Sequence, residues 1–440
     1  MDIQILQQIA FKLNFVTVLV LLLGIINIAR TSMLMIGIEI YNKRNKSKVK
    51  LEDYLKKNNG YRNFPKFSII IPAYNEESGI LRSLDSLGVV DYPRSKFEII
   101  VVNDGSKDKT AEIVDNFIKN SDKDLIIKLV NQQNSGKARA LNNGIMNHSK
   151  FELVMCLDAD SSLKSDALSH IAYAFITNPK LVSTASSVQI IKTKGLMNFV
   201  QRFEYLVCYQ MKKAHKELNI EYIIGGIGSV FKRSKLEEVG YYDVNTVTED
   251  IDLTMKILSL GNKENICALV PEAVAYTENV PNLKDLVKQR FRWKWGRCQT
   301  FLKNKEMFFN KSKKHNKLLT YIYLPYAIFG DIAYLFEPIL FGFILYTSIV
   351  FSDPTPLIGA FSFFGIYSVL NIFADKNITK RDQFVYVITL PIIFVLSYAI
   401  LAYAEYVALI KTVIQLNTLK SSIEKNECHW SHVERVNYIN

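Results

Sequence analysis

Residues 97–106 read FEIIVVNDGS, an apolar run from Phe97 to Val102 that stops in a polar turn, Asn103-Asp104-Gly105-Ser106. A short unbroken apolar run bounded by turn residues is the pattern of a strand buried on both faces. The pattern occurs earlier in Ser68–Ile71, closed by Pro72 and the turn Ala73-Tyr74-Asn75-Glu76. It occurs later in Leu125–Val130 and Leu153–Leu157, and helical stretches such as Ser78–Leu87 and Thr110–Lys119 lie between the runs. Alternating strands and helices predict an α/β domain with a mostly parallel sheet flanked by helices on both faces. Right-handed crossovers then bring the strand C-terminal ends, and the ligand site, to one edge. Three polar turns follow such ends: 73–76, 103–106, and the turn carrying Asp158-Ala159-Asp160.

Outward from this domain the chain becomes apolar. Phe11–Ala29 has about the ~20-residue length that spans a bilayer, and with no basic start or small-residue cleavage site it reads as an anchor, not a signal peptide. Leu318–Val413 is apolar again. Pro325, Asp331 and Glu337-Pro338 predict an interface helix leading into a span near 332–351, followed by spans over 357–374 and 384–410. The expected organisation is an anchor (1–41), a basic linker (42–64), the catalytic domain (65–300), interface helices (301–331), transmembrane helices (332–413) and a tail (414–440). Lysines and arginines crowd both flanks of the polar middle, at 43–50 and 303–317, which places that middle in the cytosol of a multi-pass cell-membrane protein. One plus three spans would put the tail on the opposite side, yet the tail is basic and carries Trp430 and Arg435. The net charge of +12 (54 minus 42) suits anionic lipids and an anionic nucleotide substrate. Spans and the lack of any nucleic-acid-binding motif exclude nucleic acid as partner. The five scattered cysteines predict no disulfide framework, and Cys428, His429 and His432 match no zinc template.

The chemistry concentrates at a few positions. Asp158 and Asp160, two residues apart at a strand end, can face one divalent cation; their hard oxygens suit Mg²⁺ or Mn²⁺. Ser135-Gly136-Lys137 opens a helix, and a helix N-terminus beside a lysine suits a diphosphate, although the spacing is not that of a Walker loop. Thr248-Glu249-Asp250 precedes an amphipathic stretch; it reads as a helix cap and as a place to hold a base at a rigid helix start. Gln289-Arg290-Phe291-Arg292-Trp293 precedes the apolar region. Its arginines can pair with phosphate oxygens and its indole offers a flat face to a sugar, while an interface helix with an aromatic anchor has the same composition.

The ordered trio of Asp158-x-Asp160, Thr248-Glu249-Asp250 and QRFRW, bracketed by membrane spans, resembles the processive family-2 glycosyltransferases: cellulose, hyaluronan, chitin and poly-N-acetylglucosamine synthases. The resemblance is close over residues 65–300 and holds in layout for the membrane flanks. It implies a GT-A-type catalytic domain plus an α-helical transmembrane region. It makes Asp250 the catalytic base with Glu249 in support. It assigns Asp104 and the Pro72, Tyr74, Glu76 segment to the uridine, Lys137, Asp158 and Arg292 to the diphosphate, and Asp158 and Asp160 to the metal. Gln289, Trp293 and Gly226 fall at the acceptor. The implied partners are a UDP-sugar, a growing polysaccharide and membrane lipids, and a small membrane subunit could complete an export channel. UDP-N-acetylglucosamine is the favoured donor, since VMCLDADS and VGYYD…TEDI look most like poly-N-acetylglucosamine synthases. A cellulose-like enzyme using UDP-glucose, and a non-processive transferase adding one sugar to a lipid carrier, are the alternatives. The tail after Val413 is too short for a cyclic-nucleotide-binding domain.

Overall fold

The computed structural model describes residues 3–46 and 49–425, so the Cys428–His432 cluster lies outside the described residues. Helix α1 (Ile3–Lys46) runs beyond the expected anchor boundary, and α2 (Leu51–Lys57) breaks the expected linker. The second half of α1 does more than anchor: Leu34 and Ile38 are buried in the core of the catalytic domain.

The catalytic domain is built on one eight-stranded sheet in the order β3-β2-β1-β4-β7-β6-β8-β5. Its strands are β1 (Phe67–Ala73), β2 (Phe97–Asp104), β3 (Ile126–Gln132), β4 (Leu153–Cys156), β5 (Ser162–Leu163), β6 (Leu181–Ile190), β7 (Ser229–Lys232) and β8 (Ile266–Thr277). The half read from sequence, β3-β2-β1-β4, is parallel throughout. Residues of period two split between two cores: Ile69, Ile71, Ile99 and Val101 face one side, Ile70, Ile100 and Val102 the other. Every residue of β2 is buried, as its apolar run requires. By contrast β3, expected to be buried like the others, is an edge strand and half-exposed, because only β2 pairs with it. The second half of the sheet is mixed: β7 runs antiparallel to both β4 and β6, β8 is parallel to β6, and β5 is antiparallel to β8.

Helices cover the two faces. They are α3 (Ile80–Gly88), α4 (Thr110–Asn120), α5 (Lys137–Asn143), α6 (Ala167–Thr177), α7 (Leu196–Leu218), α8 (Arg233–Glu238), α9 (Glu249–Ser259) and α10 (Leu283–Lys303). Beyond them come α11 (Leu324–Val350), α12 (Thr355–Ala374), α13 (Lys380–Leu396) and α14 (Tyr403–Ile414). Among the described residues four helices are long and apolar enough to cross a membrane: α1 from Leu22 onward, and the runs 318–350, 355–374 and 380–414. The expected interface helix leads into the expected span without interruption. Residues 318–350 form one helical run through Pro325 and Pro338. At 1.5 Å per residue, 33 residues reach about 50 Å, more than the ~30 Å hydrocarbon layer. Its first turns therefore serve the catalytic domain, with Leu319, Tyr323 and Leu324 buried in that core. Further along, Ile339, Ile349, Ile366, Phe373, Phe384 and Ile388 present large exposed apolar side chains, the surface expected against lipid.

Candidate active site

The first two turns at the sheet edge are knitted to each other. Asn75, with φ of +55°, donates its backbone N–H to Ser106 Oγ at 3.0 Å and accepts from the Lys107 N–H at 2.8 Å. The Glu76 N–H donates to Thr110 Oγ1 at 2.8 Å. Pro72 lies near the end of β1 beside Val102 of β2, and Tyr74 stands exposed at the rim. Asp104 is buried at the end of β2, and its carboxylate holds the next loop. Oδ1 accepts from Gln132 Nε2 (2.7 Å) and the Ser135 N–H (2.8 Å), and Oδ2 accepts from the Gly136 N–H (2.8 Å). This fixes the entry to α5, whose first residue is Lys137. Sequence reading saw Asp104 only as a turn and ligand residue; its role as anchor of 132–136 depends on the β2–β3 pairing.

Lys137 reaches across to the third turn. Its Nζ lies 2.7 Å from Asp158 Oδ1 and 3.3 Å from Glu249 Oε1. Burial alone would lower the ammonium's pKa, but the Asp158 and Glu249 carboxylates outweigh it and raise it, so Lys137 is a fixed cation. Asp160 is 3% exposed and its Oδ1 accepts from Ser161 Oγ. The start of α3 packs on it: a Cβ at Gly79 would come 2.9 Å from Asp160 Cα, so only glycine permits this approach.

Asp250 sits in the first turn of α9. Its Oδ2 accepts the Gly226 N–H at 3.0 Å and its Oδ1 accepts the Ile251 N–H at 2.9 Å. Its backbone carbonyl accepts from Thr254 Oγ1, which in turn accepts the Ile224 N–H. Burial, then the neighbouring Glu249 charge, push the Asp250 carboxyl up to about 6, against the opposing pull of Lys137 and Arg292. Gly226 thus lies among Lys137, Asp158 and Asp250, where a Cβ would come within 3.9 Å of all three side chains.

The QRFRW segment lies inside α10, which packs against the start of α9. A Cβ at Gly296 would come 2.4 Å from Thr248 Cγ2 and Oγ1. Gln289, Arg292 and Trp293 are half-buried on this helix. Arg290 is 4% exposed, and its Cζ stands 4.4 Å over the Trp293 ring centroid. The structure therefore brings Lys137, Asp158, Gly226, Glu249 and Asp250 together through direct contacts, with Arg292 near enough to act on Asp250. Asp104 and Asp160 border this group on their own turns, while Pro72, Tyr74 and Glu76 form the knitted rim.

The family model described as glycosyl transferase family 2 matches residues 68–240. The poly-beta-1,6-N-acetyl-D-glucosamine synthase of Staphylococcus epidermidis is 33% identical over 299 residues, covering 68% of this chain and 69% of that protein. The chain belongs to glycosyltransferase family 2. A synthase of the same name from Staphylococcus aureus (strain COL) is 32% identical over 249 residues, 56% of this chain and 57% of that protein. Among solved structures, a mannosyltransferase from Pyrobaculum calidifontis in complex with GDP-Man and Mn²⁺ matches with a TM-score of 0.51 at 20% identity. That match covers 89% of this chain and 98% of the mannosyltransferase, a likeness of fold.

The residues of the site suit a divalent cation only together with further ligands. Among the described residues no group of three or more His, Cys, Asp or Glu side chains is arranged to hold a metal by itself. Asp158 and Asp160 offer two hard carboxylates, and Mg²⁺-type ions are commonly held by one or two carboxylates together with substrate phosphates and waters. Sequence reading did not find Thr254, or the partners of Arg290: Glu204, 86 positions upstream, and Glu405 in α14. No local pattern marks these carboxylates, since each is paired through the tertiary fold.

Proposed function

We propose that this family-2 glycosyltransferase is a membrane-embedded, inverting synthase. It extends a β-linked polysaccharide from UDP-N-acetylglucosamine and passes the product out through its transmembrane helices. The observation that carries this is the setting of Asp250. It is a half-buried carboxylate held by two backbone N–H groups, with its pKa raised toward neutrality, beside the Lys137–Asp158 pair and on the helix that α10 packs against. A base near neutral pKa is suited to taking a proton at physiological pH. The curated relatives, named as poly-beta-1,6-N-acetyl-D-glucosamine synthases, support this donor and a β-1,6 linkage.

In the reaction the acceptor hydroxyl oxygen bonds to C1 of the donor sugar as the bond from C1 to the diphosphate oxygen breaks on the opposite face. Asp250 takes the hydroxyl proton, and Glu249 keeps Lys137 in place. Lys137 and Arg292 receive the charge that builds on the departing UDP. A divalent cation, Mg²⁺ or Mn²⁺, held by Asp158 and Asp160 would neutralise further diphosphate charge. Asp104 with Pro72, Tyr74 and Glu76 forms the uridine pocket. Gln289, Trp293 and Gly226 hold the acceptor end, the indole stacking on a sugar's C–H face. The basic flanks at 43–50 and 303–317 set the catalytic domain on the cytosolic side.

The test offers purified protein in nanodiscs UDP-N-acetylglucosamine, UDP-glucose or UDP-glucuronate, each radiolabelled, with Mg²⁺ or Mn²⁺. High-molecular-weight product from UDP-N-acetylglucosamine alone is expected. Polymer from UDP-glucose alone would overturn the donor, and only single-sugar lipid products would overturn processivity.

A further inference from the structure

Three of the cations on helix α10, Arg290, Lys294 and Arg297, are spaced four and three residues apart. Each meets a carboxylate from another helix. Arg290 Nη2 lies 2.7 Å from Glu204 Oε2 of α7, and its Nε faces Glu405 Oε1 of α14 at 3.4 Å. Lys294 Nζ lies 3.0 Å from Glu405 Oε2 and 2.9 Å from Asp331 Oδ1 of α11. Arg297 closes the row on Asp331 Oδ2. Three positive and three negative groups thus join the helix of the QRFRW segment to α7 and to two of the apolar helical runs.

Glu405 differs from the other two carboxylates. Asp331 bridges Lys294 and Arg297, whereas Glu405 bridges Lys294 to Arg290, the arginine stacked on the indole. Glu204 by itself contacts the guanidinium at one corner and would leave it free to swing about that contact. A second carboxylate facing Nε at 3.4 Å, in ion-pair contact without a hydrogen bond, draws the guanidinium from another side, and an arginine stacked at 4.4 Å passes that bias to the ring. Arg290 is buried and Glu204 and Glu405 are half-buried, so the hold is less screened than a surface pair. Removing one carboxylate from such a buried cluster leaves a cation uncompensated, which favours repacking over a simple vacancy.

We propose that Glu405, acting with Glu204 through Arg290, is a positioning residue for Trp293, so that membrane helix α14 governs chain elongation and not donor chemistry. This rests on the reading of Trp293 as the acceptor platform.

The experiment uses the full chain in nanodiscs with UDP-N-acetylglucosamine, comparing Glu405→Gln, Glu405→Asp, Asp331→Asn and Trp293→Ala. UDP release, donor KM, product length and Tm are measured on each. Glu405→Gln is expected to keep donor KM within about twofold while shortening the product about fivefold or more, the scale of a coupling through packed side chains. Glu405→Asp is expected to recover much of the length. Asp331→Asn, which spares Arg290, is expected to lower Tm without shortening the product. Full-length product from Glu405→Gln, or parallel losses of UDP release, length and Tm in Glu405→Gln and Asp331→Asn alike, would overturn the proposal. If Trp293→Ala itself elongates normally, the acceptor reading fails. If Trp293→Ala stops elongation while Glu405→Gln does not, only the positioning role fails. Should Glu405→Gln not accumulate, Arg290→Lys keeps the charge but loses the stack. Short product at unchanged donor KM then supports the proposal, and full-length product overturns it.

Discussion

Replacing Gly296 with alanine tests whether the contact between α10 and α9 sets the geometry of the reaction. In an exposed helix interior, Gly→Ala is stabilising by roughly 0.5–1 kcal/mol, because alanine gives up less backbone entropy. Here the new Cβ would stand 2.4 Å from both Thr248 Cγ2 and Oγ1, and 2.8 Å from Thr248 Cβ. An ordinary contact needs about 3.4 Å, so the helices must part by roughly 1 Å. Thr248 is only 5% exposed and cannot swing into solvent. Overpacking of this kind costs about 1–3 kcal/mol, more than the helix-propensity gain, so Tm should fall. The displacement acts on the residue directly before Glu249 and Asp250. A misplacement of about 1 Å in a reacting group costs on the order of a hundredfold in rate. We therefore expect Gly296→Ala to lower kcat for sugar transfer by about one to two orders of magnitude with a smaller rise in donor KM, since Lys137 and Asp158 lie on other elements and only Arg292 of the diphosphate contacts rides on α10. Adding Thr248→Ala removes both atoms at 2.4 Å and should restore part of the rate. The assay is initial-rate UDP release across donor concentrations, alongside thermal unfolding in detergent. An unchanged kcat with unchanged or raised Tm would refute the reasoning.

The remaining expectations concern the base, the loop anchor and the cation. Asp250→Asn keeps the shape but cannot accept the proton, so transfer should drop by about 10²–10⁴-fold; polymer synthesis at the wild-type rate would dismiss Asp250 as base. Because the base works ionised and its pKa is raised to about 6, kcat/KM should be level above that pH and fall about tenfold per unit well below it. A profile with its acid limb near 4 would place the titrating group elsewhere. Asp104→Ala removes the acceptor for the Ser135 and Gly136 N–H groups and should raise donor KM more than it lowers kcat, read from the same initial rates. Chelation with EDTA should abolish transfer, and added Mg²⁺ or Mn²⁺ should restore it; full activity in EDTA would remove the cation from the scheme.

Much of the site was legible in sequence because its parts are local. FEIIVVNDGS is a buried strand followed by a turn whichever chain surrounds it, and Asp158-x-Asp160 places two carboxylates on one turn by spacing alone. Thr248-Glu249-Asp250 likewise announces a helix start. The parallel half of the sheet followed from the alternation of apolar runs with helical stretches, and the apolar C-terminal region from composition.

What the sequence by itself determined is therefore the α/β core, the acidic turns, the basic segment and the membrane-length helices, all encoded over windows of about ten to twenty residues. Tertiary structure alone decided the rest. It inserted β7 antiparallel between β4 and β6, and it turned Asp104 inward to hold the entry to α5. It set Gly296 against Thr248, and it paired Arg290 with carboxylates 86 and 115 positions away. The physical reason is that a buried charge or a close backbone contact is satisfied by whatever the fold brings near, and sequence spacing carries no record of that neighbour.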